Sequence, residues 1–347
     1  MWTRVAQASG LQAGLWPARP RPAGGRPAIR RIAPQGSALL AVLWLTAALS
    51  AIAFSVATTV RGELERAGTL ADGVRAHYVA AGAIDRAILH MLWGGTFYEP
   101  GLPRFVFQFP AGDAVVEIIP ESSKLSINNA LPEDLLRLMA AAGASPDRAR
   151  EIAEAILDWR SPPPAGGFSP LDSYYLGLAP SFRARHASFE EIEELLLVKG
   201  MTPELFHGGY ASAPDGRLVP FGGLKESLSV FGTAGPFEIN SASPALLAAI
   251  GIPATAVEQI VRMRRETPFR TPDQMELVRS LAGPAAQRLR LGVGSIFTLR
   301  ATARPRTADG RLSDLRRTVA AVVKLGYGND GYQILRWQES PAMETGS

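Results

Sequence analysis

Four histidines, His77, His90, His186 and His207, are the only imidazoles in the 347 residues, and the chain has no cysteine. None of the histidines has metal-ligand spacing, and no nucleophile elbow or activated-serine pattern accompanies them. Lack of cysteine excludes thiol catalysis and Cys-type zinc sites. His77 and His90 fall in a helical pattern that suits an exposed or interfacial role, and His186 and His207 fall in loops. Carboxylates able to offer oxygens to a hard cation are Glu117, Glu121, Asp172 and Glu238, but no EF-hand-like string occurs. No metal site and no catalytic residue is assigned. The chain reads as a non-enzyme whose working residues are those that anchor and assemble it.

Those residues lie first in the N-terminal apolar run. From Ile32 to Val60 there is no charge, whereas Arg4, Arg19, Arg21, Arg26, Arg30 and Arg31 precede it without an acid. About 20 apolar residues suffice for a helix to cross a bilayer. Arginines on one flank hold that flank in the cytoplasm and place everything after Arg61 outside. A cleavable signal has a core of about 7–15 residues followed by a small-x-small site, and this run is longer. Leu64, Leu70, Val74, Ala81, Ile84, Ile88 and Leu92 then continue at helical spacing as one apolar stripe. Together the runs predict one helix of about 55 residues, roughly 80 Å long, over 37–93. Its Leu70, Val74, Ile84 and Ile88 are expected to pack on a sheet or on partner stems, two alternatives that the pattern leaves open.

The formal charge is +4, and the six leader arginines more than account for it. The body is near neutral to slightly acidic, which argues against nucleic acid as its partner. Residues 1–36, rich in Pro, Gly, Ala and Arg, are expected to be disordered. Beyond the helix, RFVFQFP (104–110) and DAVVEII (113–119) read as a hairpin. SIFTLRATAR (295–304), RRTVAAVVKLG (316–326) and GYQILRWQE (331–339) read as three later strands. Between them, residues 125–291 show helical periods punctuated by Pro and Gly, among them PEDLLRLMAAAG, SPDRAREIAEAILDWR and ASFEEIEELLLVKG. The architecture expected is α+β: a long N-terminal helix on a small antiparallel sheet (104–120 and 294–339), with a large all-helical domain inserted.

The inserted block echoes itself. SINNALPEDLLRLM matches EINSASPALLAAI, so that Ile127, Asn128 and Pro132 fall on Ile239, Asn240 and Pro244. AILDWR and QIVRMR follow, each succeeded by a Phe-led turn, GGFSPLDS and TPFRTPDQ. An asparagine just before a helix can bond local backbone, and Pro132 and Pro244 suit a first helical turn. The pair resembles helix-hairpin-helix modules, but EEIEELL beside one hairpin is the wrong charge for a DNA backbone.

The Gly36 junction with SALLAVLWL, ESSKLSINNA, GGFSPLDS, SFEEIEELLLVKGMTPELF and FEINSASPALLAAI together resemble one family, the minor pseudopilin known as general secretion pathway protein K of type II secretion systems. The likeness runs from about Ile32 to Gln338. It implies a pilus-like periplasmic filament, anchored through the inner membrane, with this subunit at the tip beside the I and J minor pseudopilins. It implies cleavage by a prepilin peptidase after Gly36, leaving Ser37 as a methylated N-terminus. Leu39, Leu40, Ala41, Val42, Leu43, Trp44 and Leu45 then form the first membrane turns. Most pseudopilins carry Glu where Ala41 stands, and this member usually departs from that rule. Relatives carry calcium in the helical domain, so calcium is the one cofactor left open. The alternative is a single-pass periplasmic scaffold that never assembles.

Overall fold

The structure is a computed structural model that describes residues 37–93, 102–163, 165–212, 216–292, 294–307, 309–326 and 331–339. The leader 1–36, with Gly36, lies outside them. The chain divides into two compact units, one ending at Leu64 and one beginning at Glu65. A single helix, α1 (Ser37–Leu92), contributes to both. Within the first unit its residues form nothing but helix.

In the second unit α1 is followed by β1 (Arg104–Phe109) and β2 (Gly112–Pro120). The chain then leaves the sheet through β3 (Leu125–Ser126), α2 (Pro132–Ala141), α3 (Pro146–Arg160), α4 (Asp172–Leu176) and α5 (Pro203–His207). Next come the hairpin β4 (Gly208–Ser212) and β5 (Leu218–Gly222), the short β6 (Leu228–Ser229) and β7 (Phe237–Glu238), and α6 (Pro244–Ala249), α7 (Ala254–Glu266) and α8 (Pro272–Ala282). After β8 (Leu289–Arg290) it returns as β9 (Ile296–Pro305), β10 (Arg317–Leu325) and β11 (Tyr332–Glu339).

The main sheet is antiparallel throughout, in the order β1-β2-β9-β10-β11. Alternation puts Phe105, Phe107, Val116, Ile118, Leu299 and Val319 on one face, where they pack with Val79, Ile84, Ile88 and Met91 of α1. Ala80, Ala83 and Ala87 on the helix meet a sheet rich in Ala301, Ala303 and Ala321, and such small residues permit close approach. Gly112 is required where β2 meets β9, because a Cβ there would sit 2.3 Å from the carbonyl oxygen of Arg304. The α+β architecture expected from the sequence is the one observed, and the five strands lie within two residues of their expected positions.

A second, separate core belongs to the inserted block, built around Ile127, Leu135, Ile152, Tyr175, Phe206, Phe237 and Leu247. It is helical in mass but also contains three short strand pairings, the parallel pairs β3–β6 and β7–β8 and the antiparallel hairpin β4–β5. The run ASFEEIEELLLVKG, expected as a helix, is only a 3-10 helix over Ile192–Leu197. Its entry is fixed by bonds at Phe189 and its exit by Gly200, whose φ of +83 and tight approach to Ile152 force the chain to turn.

Candidate functional site

From Ser37 to Leu64, α1 has no acidic residue in its first turn and is apolar and long enough to cross a membrane. Leu39, Leu40, Val42, Leu43, Trp44 and Leu45 are all exposed, Ala41 among them. Three threonine hydroxyls along the run are satisfied inside the helix: Thr46 donates to the Leu43 carbonyl, and Thr58 and Thr59 donate to that of Ser55. A lipid-facing helix requires this internal pairing.

In the second unit the expected stripe divides. Ile84 and Ile88 are buried in the sheet core, whereas Leu70 and Val74 are 66% and 57% exposed. The buried face of α1 begins at Ala76, so Leu70 and Val74 precede the sheet altogether and do not pack on it. With Tyr78 they remain as apolar surface on an otherwise committed helix.

The repeated motif is a repeated piece of geometry. Asn128 donates to the Phe189 carbonyl at 3.0 Å and accepts from its amide at 2.7 Å. Asn240 makes the same pair of bonds with Phe269, at 3.0 and 2.8 Å. Arg160 donates to the carbonyls of Ile127 and Ala130, and Arg264 to those of Ile239 and Ala242. Pro132 and Pro244 each open a helix, and Ser243 caps the second by accepting from Leu246. The structure corrects the Phe-led turn of the first repeat: the counterpart of Phe269 is Phe189, and Phe168 of GGFSPLDS is half exposed. The clamp spans 61 residues in the first repeat against 29 in the second, so the first carries an insertion after Arg160. The overlooked signal lies five residues after each phenylalanine, where Glu194 and Gln274 each accept from two turn amides three and four residues before them.

The histidines do not build a catalytic centre. His90 lies edge-on to Phe105 and Phe107, His77 faces Glu339 at 3.8 Å, and His207 abuts Phe206. His186, at φ +49, is held in the first-repeat insertion by the Asp158 carbonyl at Nδ1 and by Asp172 at Nε2, both 3.1 Å away. Both ring nitrogens face acceptors, an arrangement that favours the doubly protonated imidazole, which has no lone pair for a base. Ser169, the nearby hydroxyl, donates to Asp158 instead.

Burial pulls the His186 pKa down, but the bonds to Asp172 and to the Asp158 carbonyl outweigh it and leave it above the ordinary value. The Ser169 amide lowers that of Asp172; burial opposes this, and His186 adds to the lowering. A raised histidine stabilises fully below its unfolded pKa and loses that contribution as pH rises through the folded value. A depressed aspartate loses its contribution as pH falls through its folded value. The pair should therefore stabilise most between about pH 4 and 6.5. Denaturant midpoints across pH should fall on the alkaline side for the wild type and flatten in His186→Gln; superimposable profiles would sink this account.

The four candidate cation ligands do not converge. Glu117 pairs with Arg300, and Glu121 with Lys124, Ser229 and Thr298. Asp172 pairs with His186, and Glu238 accepts from the amides of Asn240 and Ser241. Among the described residues no three acidic or histidine groups are grouped to hold a metal ion. These carboxylates do not fit a common calcium site.

Residues 118–208 match the family model for type II secretion system protein K. Over 140 residues the chain is 29% identical to type II secretion system protein K of Pseudomonas aeruginosa, covering 40% of this chain and 37% of that relative. The matched stretch thus spans well under half of the relative. The fold is similar to a chain in the crystal structure of the GspK-GspI-GspJ complex from enterotoxigenic Escherichia coli, with a TM-score of 0.51 and 16% identity, over 80% of this chain and 100% of that one. The family resemblance read from the motifs is borne out.

Proposed function

From a chain similar to type II secretion system protein K, we propose that it is a minor pseudopilin at the tip of the periplasmic pseudopilus. It crosses the inner membrane once, with its N-terminus in the cytoplasm and its body in the periplasm, and partners the I and J minor pseudopilins. The observation that carries this reading is one helix, α1, whose acid-free apolar half begins at Ser37 and whose other half packs on the sheet that bears the inserted helical block.

In a helical filament, a carboxylate five residues into one subunit meets the terminal amine of its neighbour; buried without that amine it would be costly. A tip subunit has no such neighbour above it, and Ala41 suits that place. The inserted block adds bulk on which another subunit stacks poorly. Cleavage after Gly36 by a prepilin peptidase would release Ser37 as the first residue of the anchor.

Co-expression with a prepilin peptidase tests the reading. The expected product begins at Ser37, and Gly36 changed to a bulky residue blocks it. The processed protein should also co-purify with the I and J partners. A product cut after residue 60, or an uncut chain that inserts but recruits neither partner, would leave only a membrane-anchored scaffold.

A further inference from the structure

We infer that the loops of the inserted block are organised by cations built into the chain, and that it needs no bound divalent ion. This goes beyond the assembly reading and does not depend on it. In each repeat two carbonyl oxygens three residues apart converge on one guanidinium. Arg160 reaches Ile127 and Ala130 at 2.6 Å each, and Arg264 reaches Ile239 and Ala242 at 2.7 Å each. Such short contacts are charge-assisted hydrogen bonds. Burial lowers the pKa of both arginines, which marks them as enclosed groups, and a guanidinium nevertheless keeps its charge.

The loop ordered in this way is the one whose asparagine clamps a distant phenylalanine, so each arginine stands beneath one tertiary clamp. Two of the buried carboxylates, Asp134 and Glu121, follow the same rule. Asp134 is gripped by Arg288 through both oxygens at 2.7 Å, and Glu121 receives Lys124 at 2.9 Å. Calcium takes about 6–8 oxygens at 2.3–2.6 Å. Here the loop carbonyls already face a positive charge, and an incoming divalent ion would have to expel an arginine from its own repeat.

The full-length protein in detergent, dialysed against EGTA, tests this by hydrogen exchange of segments 127–130 and 239–242. The expected result is exchange within about twofold between EGTA and millimolar calcium. Arg264→Met should raise exchange at 239–242 by about tenfold or more, with calcium giving no rescue and Arg264→Lys giving partial rescue. Calcium retained stoichiometrically through the chelator would overturn the inference. So would a rise in exchange in EGTA equal to that of Arg264→Met, or a variant with unchanged exchange. Should Arg264→Met fail to accumulate, the wild-type comparison in EGTA and calcium decides alone.

Discussion

Ile84→Asp is expected to abolish the sheet core, whereas Val74→Asp leaves it folded. Ile84 is fully buried between α1 and the sheet, in a cluster of apolar side chains. Truncating such a residue costs about 2–5 kcal/mol, and Ile→Val about 0.5–1.5. A carboxylate there adds the penalty of an unpaired buried charge, enough to exceed the stability of an ordinary domain. Val74 is mostly exposed, so an aspartate there stays hydrated. Its expected effect is on association: loss of apolar contact with a partner stem, at roughly 25 cal/mol per Å². Segment-resolved hydrogen exchange separates the cases. In Ile84→Asp, strands β2, β9 and β10 should lose protection while α2, α3 and α7 keep theirs, because the two cores are distinct. Simultaneous loss in both would show that the block cannot stand without the sheet.

Arg288→Met should be the most damaging polar substitution in the inserted block, at about 3–5 kcal/mol. The bidentate pair with Asp134 joins the first helix of one repeat to the turn that ends the other, across 154 residues. Asp134 is 2% exposed, so removing the arginine strands a carboxylate that water cannot reach. The reverse change, Asp134→Ala, should cost less, since the Arg288 side chain is 28% exposed and keeps part of its hydration. The hydrogen bonds that Arg288 donates to Asp134 raise its pKa, burial opposes this, and the charge of Asp134 adds to the rise. Calorimetry should place the melting transition of Arg288→Met roughly 10 °C or more below wild type, with Asp134→Ala between them. An inverted order would refute the desolvation argument.

The strands and the long helix were legible because alternation and apolar spacing are local properties, read within ten residues. The Ile-Asn-Pro echo was legible for the same reason, and its clamps could be anticipated in kind. Their partners could not. Phe168 and Phe189 both lead turns, and only the insertion after Arg160, closed by His186 on Asp172, determines which one Asn128 reaches. The hairpin β4–β5 and the parallel pairs escaped because two-to-five-residue strands in a block dominated by helical periods leave no periodic trace. Leu70 and Val74 share the spacing of Ile84 and Ile88, but spacing does not say where along the helix the sheet begins.

The insertion point itself has a consequence for engineering and descent. Pro120 on β2 lies opposite Phe297 on β9, in register, where the chain departs and returns. Two antiparallel strands with ends this close can be joined by a two-residue turn. The body is thus a plain meander in which one turn has grown to residues 121–295. Because loop closure costs rise only logarithmically with length, a folded passenger can occupy that turn at little expense to the host. The junction is stitched at both crossings, by Glu121 to Thr298 and by the Gly294 amide to Ser122. A chain with 121–296 replaced by Asn-Gly would lose one strand pairing, Ile296 with Lys324, and retain the rest of the main sheet and the helix face against it. The block is therefore expected to be exchangeable as a module, with Arg336 of β11, which reaches Glu190 and Glu191, as the contact away from the junction that exchange would break.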